Sequence, residues 1–433
     1  MILSEYTIPG MFIRDYTVTV PLDWGKLDGE TIEVFAREVC DPVKRRDKLP
    51  LLVFLQGGPG GKSPRPANGG PSWLKEALKT HRVVLLDQRG TGRSTRIETA
   101  TMERFGSDGA AAADYLACFR ADSIIWDAEY IRMTVYGTDK WAALGQSYGG
   151  FLTLTYLSKA PEGLAACYVT GGLAGLDATA DDVYRRTYPR VAARTERYYR
   201  RYPDDRATIS RIADVLADND IRLPDGDRLT VRRFQTIGID FGMAPGFENV
   251  HWIVDEAFSS PRADRLSDSF LAAVMNATSY DSGPLFAVLQ ESIYGQGHGA
   301  TNWAAERIRA EFPDFAENRR SLLFTGEMMF SWMFEDIRSL KPFRAGAMAL
   351  AARDDYPRLY DPERLAANEV PVAAAIYFDD MYVDAGLSLE TAARVGNLES
   401  WVTNEYEHDG VRQSSRVFSR LVEMVKERGG PLA

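Results

Sequence analysis

Ser147 stands at the centre of Gly145-Gln146-Ser147-Tyr148-Gly149, a G-x-S-x-G pentapeptide flanked by apolar segments on both sides. A serine hydroxyl presented this way can serve as the nucleophile of acyl transfer. Trp141-Ala142-Ala143-Leu144 reads as a strand, and Phe151 to Leu157 continues at helical spacing until Pro161. A strand-to-helix turn this tight leaves no room for a side chain at Gly145 or Gly149, and it lifts the serine Oγ to the helix N-terminus. A second segment suits the same chemistry. Leu51 to Leu55 is a short buried-strand run that leads into Gln56-Gly57-Gly58-Pro59-Gly60-Gly61. Its glycines leave backbone amides free to point at a ligand, and one of them, with the amide of Tyr148, would form an oxyanion hole.

A serine nucleophile needs a base, and the chain has four histidines: His81, His251, His298 and His408. In hydrolases built on such an elbow the order is serine, then acid, then histidine, and the histidine follows a late strand. That removes His81 and favours His408 in Asn404-Glu405-Tyr406-Glu407-His408-Asp409-Gly410. The orienting acid should follow a strand and precede His408. Asp379 and Asp380 both do, and Asp384 is a third candidate; period-2 alternation lets only one of the adjacent pair face the site without saying which.

The elements that must position these residues alternate in type. Tyr16–Val20, Thr31–Ala36, Leu51–Leu55, Val83–Leu86, the strand into the elbow and Ala165–Val169 read as strands separated by helical or turn segments. Short apolar strands of this kind imply an α/β fold with a mainly parallel sheet covered on both faces. The pattern changes at Gly171-Gly172-Leu173, and residues 175–340 read as helices rich in Arg, Asp, Tyr and Trp. We expect core residues 1–174, a helical cap at 175–340, and returning core at 341–433. The return begins with Pro371 to Phe378 and ends in a helix with Val417, Phe418, Leu421, Val422 and Val425 on one face.

With 433 residues the chain can bury a large core, and a net charge of −10 disfavours a nucleic-acid partner. The basic, tyrosine-rich stretch Tyr184 to Tyr202 is expected to be an exposed helical face with tyrosines packed beneath it. No apolar run reaches the roughly 20 residues of a membrane span, and the N-terminus lacks a signal pattern, so a cytoplasmic protein is expected. Cys40, Cys118 and Cys167 form no metal pattern and read as reduced, mostly buried thiols.

Gly57-Gly58-Pro59-Gly60-Gly61, Asp87-Gln88-Arg89-Gly90-Thr91-Gly92-Arg93-Ser94 and Gly145-Gln146-Ser147-Tyr148-Gly149-Gly150 together resemble the prolyl aminopeptidase (proline iminopeptidase) family, serine peptidases of the α/β-hydrolase fold. The resemblance spans nearly the whole chain and is closer to the larger, broad-specificity subfamily. It implies a serine aminopeptidase that releases an N-terminal residue, preferentially proline, from small peptides with a free N-terminus. An esterase or other amide hydrolase on the same fold is the alternative. It also implies a triad of Ser147, Asp380 and His408, and an oxyanion hole from Gly58 and Tyr148. Cap carboxylates should bind the substrate amine, Glu291 in the E-x-x-Y element Glu291–Tyr294 first and Glu327 second, with Glu256 and Glu335 as further candidates. No metal or cofactor is implied, and nothing sets an oligomeric state. Phe330, Trp332 and Phe334 could line a proline pocket or simply be core. Asp87–Ser94 lacks the ending of a P-loop and is expected to brace the oxyanion loop. Two departures stand out: Gln56 replaces the family's histidine, and Tyr377-Phe378 replaces the Gly-Arg before the acid.

Overall fold

A computed structural model of the protein describes residues 1–68, 70–260 and 264–432. Nine strands form one sheet: β1 (Ile2–Ile8), β2 (Met11–Pro21), β3 (Thr31–Cys40), β4 (Leu51–Leu55), β5 (Arg82–Leu86), β6 (Trp141–Gln146), β7 (Leu164–Thr170), β8 (Val372–Tyr377) and β9 (Leu398–Thr403), in the order β1-β2-β3-β5-β4-β6-β7-β8-β9. The β1–β2, β2–β3 and β3–β5 pairings are antiparallel, and all from β5 through β9 are parallel.

Every residue of β4, β6 and β8 is buried, which explains their uninterrupted apolar reading. Their side chains alternate between two cores. Val53, Leu55, Val84, Ala143, Val169 and Ile376 join one; Leu52, Phe54, Val83, Leu144, Tyr168 and Ala375 join the other. The second core is closed by the helices Ser72–Ala77 and Ser415–Glu427, through Trp73, Leu74, Val417, Phe418 and Leu421. The first continues without a break into the helices between β7 and β8.

Among the described residues, the long segment from β7 to β8 contains no strand of the sheet. Its longest helix, Ala180–Arg201, buries Tyr184, Tyr188, Tyr198 and Tyr199, as the basic stretch was expected to do. One arginine departs from the expected exposed face: Arg194 is buried. β1 was not foreseen. It lies at the sheet edge, and none of its residues is fully buried. Cys40, Cys118 and Cys167 are all free thiols. No helix among the described residues is long and apolar enough to cross a membrane.

Candidate active site

Where β6 meets the helix Tyr148–Lys159, Ser147 adopts φ 58° and ψ −125°, a left-handed conformation that costs a non-glycine residue about 1–3 kcal/mol. The surroundings hold it there. Its amide donates to the Thr170 carbonyl at 3.0 Å, and its own carbonyl accepts from the Gly150 amide at 2.7 Å. A Cβ on Gly145 would strike the Gly149 carbonyl, and one on Gly149 would strike that of Leu55, so both glycines are fixed by close approach.

Beyond β8 the three candidate acids separate. His408 Nδ1 lies 2.6 Å from Asp380 Oδ2. The other Asp380 oxygen accepts from the amides of Tyr382 at 2.8 Å and Val383 at 3.1 Å. Because an ionised carboxylate only accepts, Nδ1 carries the proton and Nε2 is left as the basic nitrogen. Asp379 turns away to Arg197, at 3.2 Å. Asp384 pairs with Arg190 at 2.6 Å and caps the helix Ala385–Ala392 through the Leu387 amide at 2.9 Å. Burial disfavours the charged His408 ring, but the charge and hydrogen bond of Asp380 outweigh it, Glu327 adds to them and Arg412 opposes; the net effect raises the His408 pKa. The Tyr382 ring meets that of His408 edge-on at 4.8 Å.

Gly171 and Gly172, immediately after β7, lie against the His408 ring and the Ser147 backbone. A Cβ on Gly171 would lie 3.2 Å from His408 Nδ1, and one on Gly172 would strike the Ser147 carbonyl. In the sequence this pair marked only a change of pattern; a double glycine at the C-terminal end of a central strand is the signal that could have singled it out.

The loop after β4 lies against the serine: a Cβ on Gly57 would come within 2.9 Å of Ser147 Cβ. Among the described residues, neither the Gly58 nor the Tyr148 amide has a hydrogen-bond acceptor. Two free donors beside a nucleophile are what a developing oxyanion requires. The Asp87–Ser94 segment braces this loop as expected: Gln88 Nε2 donates to the Gln56 carbonyl at 2.7 Å, while Asp87 is held by Arg65 at 2.7 Å and by the Arg93 amide at 2.9 Å.

Ser147, Asp380 and His408 are 7%, 2% and 3% exposed, so all three side chains are shielded from bulk water. Two acids between β7 and β8 have perturbed carboxyls. Glu327, partly exposed, has its pKa pushed up to about 7 by burial, with His408 pulling it down and Asp380 pushing it up; its charge is therefore felt at the His–Asp pair. Glu291 is also pushed up to about 7 by burial, although Thr301 and the amides of Ala305, Ala304 and Trp303 favour its ionised form. One Glu291 oxygen accepts from the Ala305 amide at 3.1 Å, and the other has no partner. Glu256 is exposed, and Glu335 pairs with Arg344 at 2.8 Å. Phe330, Trp332 and Phe334 are buried; Phe330 stacks on Trp332 and Phe334 packs on Trp303, as core residues do. The aromatic chain leading from the nucleophile is instead Tyr148, Phe151 and Tyr294, in successive ring contacts of 6.0 and 6.1 Å. Among the described residues no group of acids, histidines and cysteines could hold a metal ion.

The alpha/beta hydrolase fold family matches residues 50–215. The proline iminopeptidase of Aeromonas sobria is 44% identical over 98% of this chain and 99% of its own length. The proline iminopeptidase aneH of Aspergillus aculeatus is 34% identical over 96% of this chain and 94% of its own. Among solved structures, the proline iminopeptidase of Mycobacterium smegmatis covers 95% of this chain and 98% of that chain, at 12% identity and a TM-score of 0.43. Similarity sustained along nearly the full length places this chain in the proline iminopeptidase family of α/β-hydrolases.

Proposed function

We propose that the protein is a serine aminopeptidase that removes an N-terminal residue, proline by preference, from small peptides or amides. Ser147 Oγ attacks the first carbonyl while His408 Nε2 takes its proton and Asp380 holds the ring through Nδ1. The amides of Gly58 and Tyr148 receive the oxyanion. His408 then returns the proton to the leaving amine, and water resolves the acyl-enzyme by the same route.

The observation that carries this reading over an esterase is Glu327. Its carboxylate, largely desolvated near His408 and Asp380 and supported by a hydrogen bond from Gln290, would gain further from a cation beside it. A substrate ammonium supplies that cation, and Glu291, with one oxygen unpartnered, stands as the second acceptor. Residues 175–340 act as the cap that brings both glutamates over the site and blocks chains extending beyond the first residue. The enzyme works in the cytoplasm.

The test is the initial rate on prolyl-, alanyl-, glycyl- and N-acetylprolyl-naphthylamide with wild type and Ser147→Ala. Fast prolyl cleavage that requires both the free amine and Ser147 is expected. Equal rates on the acetylated substrate would remove the amine clamp, and turnover restricted to simple esters would make the protein an esterase.

A further inference from the structure

Arg412 lies one helical turn beyond His408, in the short helix Gly410–Gln413, and is an exposed residue. Among the described residues no carboxylate pairs with its guanidinium. The group turns instead toward two neutral amides. Arg412 Nη2 donates to Gln146 Oε1 at 2.7 Å. With the Gln56 amide oriented by its hydrogen-bond network, Nη2 also donates to that side-chain oxygen at 2.8 Å. The backbone of Arg412 is fixed as well: its amide donates to the Asp409 carbonyl at 2.8 Å, and its carbonyl accepts from Ser72 Oγ at 3.2 Å.

The two glutamines occupy matching positions. Gln56 opens the loop that carries the Gly58 amide, and Gln146 is the residue before Ser147 and the Tyr148 amide. The guanidinium therefore ties together the two backbone segments that each present one free donor, and it does so from the loop that carries the base. An oxyanion hole works only if both donors lie about 2.7–3.1 Å from one oxygen atom, and a misplacement of about 1 Å costs on the order of 100-fold in rate.

We propose that Arg412 is a positioning residue that sets the Gly58 and Tyr148 amides in register with each other and with His408, through Gln56 and Gln146. The proposal rests on the acyl-transfer reading of Ser147. It requires Arg412 to act chiefly on the transition state, so its loss lowers kcat and leaves KM nearly unchanged. It also carries an electrostatic signature. Of the charged groups that act most on His408, Asp380 and Glu327 favour protonation of the ring and Arg412 opposes it. Removing its charge moves the acid limb of the rate profile to higher pH.

The variants are Arg412→Met, Arg412→Lys and Gln56→Ala, with two readouts. One is kcat and KM on prolyl-naphthylamide. The other is the pH dependence of Ser147 labelling by a fluorophosphonate probe, which has no α-amine and so leaves Glu327 out of the binding step. Arg412→Met is expected to lose about 10–100-fold in kcat with KM within about threefold, and to shift the labelling limb upward. Arg412→Lys should keep the limb in place and recover only part of the kcat, because an ammonium lacks the planar fork. Gln56→Ala should lose kcat without moving the limb, and it decides the question if Arg412→Met does not fold. Unchanged kcat and an unmoved limb in folded Arg412→Met, or a loss confined to KM, would overturn the proposal. Wild type that is labelled at Ser147 but does not cleave prolyl substrates would defeat the aminopeptidase reading alone, and the labelling series would still test Arg412.

Discussion

Asp379 and Asp380 are adjacent and chemically identical, yet one lies against Arg197 and the other against the imidazole of His408. Asp380→Asn should therefore lower kcat/KM by about 1000- to 10,000-fold, because an amide no longer enforces the tautomer that leaves Nε2 basic. Asp379→Asn should stay within about threefold. Equal losses in steady-state kinetics would contradict the assignment. Local sequence could not make this choice: the amides of Tyr382 and Val383 and the guanidinium of Arg197 separate the two acids, and those partners come together only in the fold. The strained turn at Ser147 was legible because its whole signal, strand, glycines and helix, lies within one short segment. Arg412 was not, since its partners Gln56 and Gln146 come from distant parts of the chain. Glu327 makes a further prediction. Its carboxyl ordinarily titrates near 4.5 and is raised to about 7 in the fold. Between those values the folded state binds the proton more tightly than the unfolded chain, so stability falls as pH rises and the full penalty applies above about pH 7. Glu327→Gln should thus melt about 1–4 °C higher than wild type at pH 8, while losing most of its activity on free-amine substrates. A lower melting temperature, measured calorimetrically without substrate, would show that the carboxylate is already compensated.

The helix Ala180–Arg201 grips both segments that follow β8 and β9. Arg190 reaches Asp384 at 2.6 Å, Arg197 reaches Asp379 at 3.2 Å, and Arg194 bridges the Asp379 carbonyl at 3.2 Å and the Glu407 carboxylate at 3.0 Å. One helix thereby pins the turn that carries Asp380 and the residue before His408. Arg194→Met should cost about 2–3 kcal/mol, less than a fully buried pair because Glu407 can still reach water, and it should lower kcat about 10-fold by loosening both loops. Denaturant unfolding and steady-state rates check the two parts; lost stability with unchanged kcat would make the contact purely structural. The tyrosines of this helix were legible from their spacing. The burial of Arg194 was not, because an arginine pattern looks the same whether it meets water or a second layer of protein.

At the scale of the molecule, the alternation of β4 to β8 between two cores made the parallel sheet readable. β1 escaped notice for the opposite reason: with no fully buried residue, it carries no two-residue period to detect. It covers the edge of β2, whose ladder would otherwise face solvent. Removing residues 1–9 should leave the rate per folded molecule unchanged but raise light scattering on mild heating, and scattering equal to that of wild type would show that β1 is not an edge guard. The inserted helices have another consequence. β7 and β8 are hydrogen-bonded neighbours, yet the whole helical segment is synthesised between them, and Asp380 and His408 follow only after β8. At about 5–20 residues per second, the proposed base His408 is synthesised roughly 10–50 s after the proposed nucleophile Ser147. On that reading the topology acts as a timer, and a ribosome-bound chain stalled between β7 and β8 should show no peptide hydrolysis.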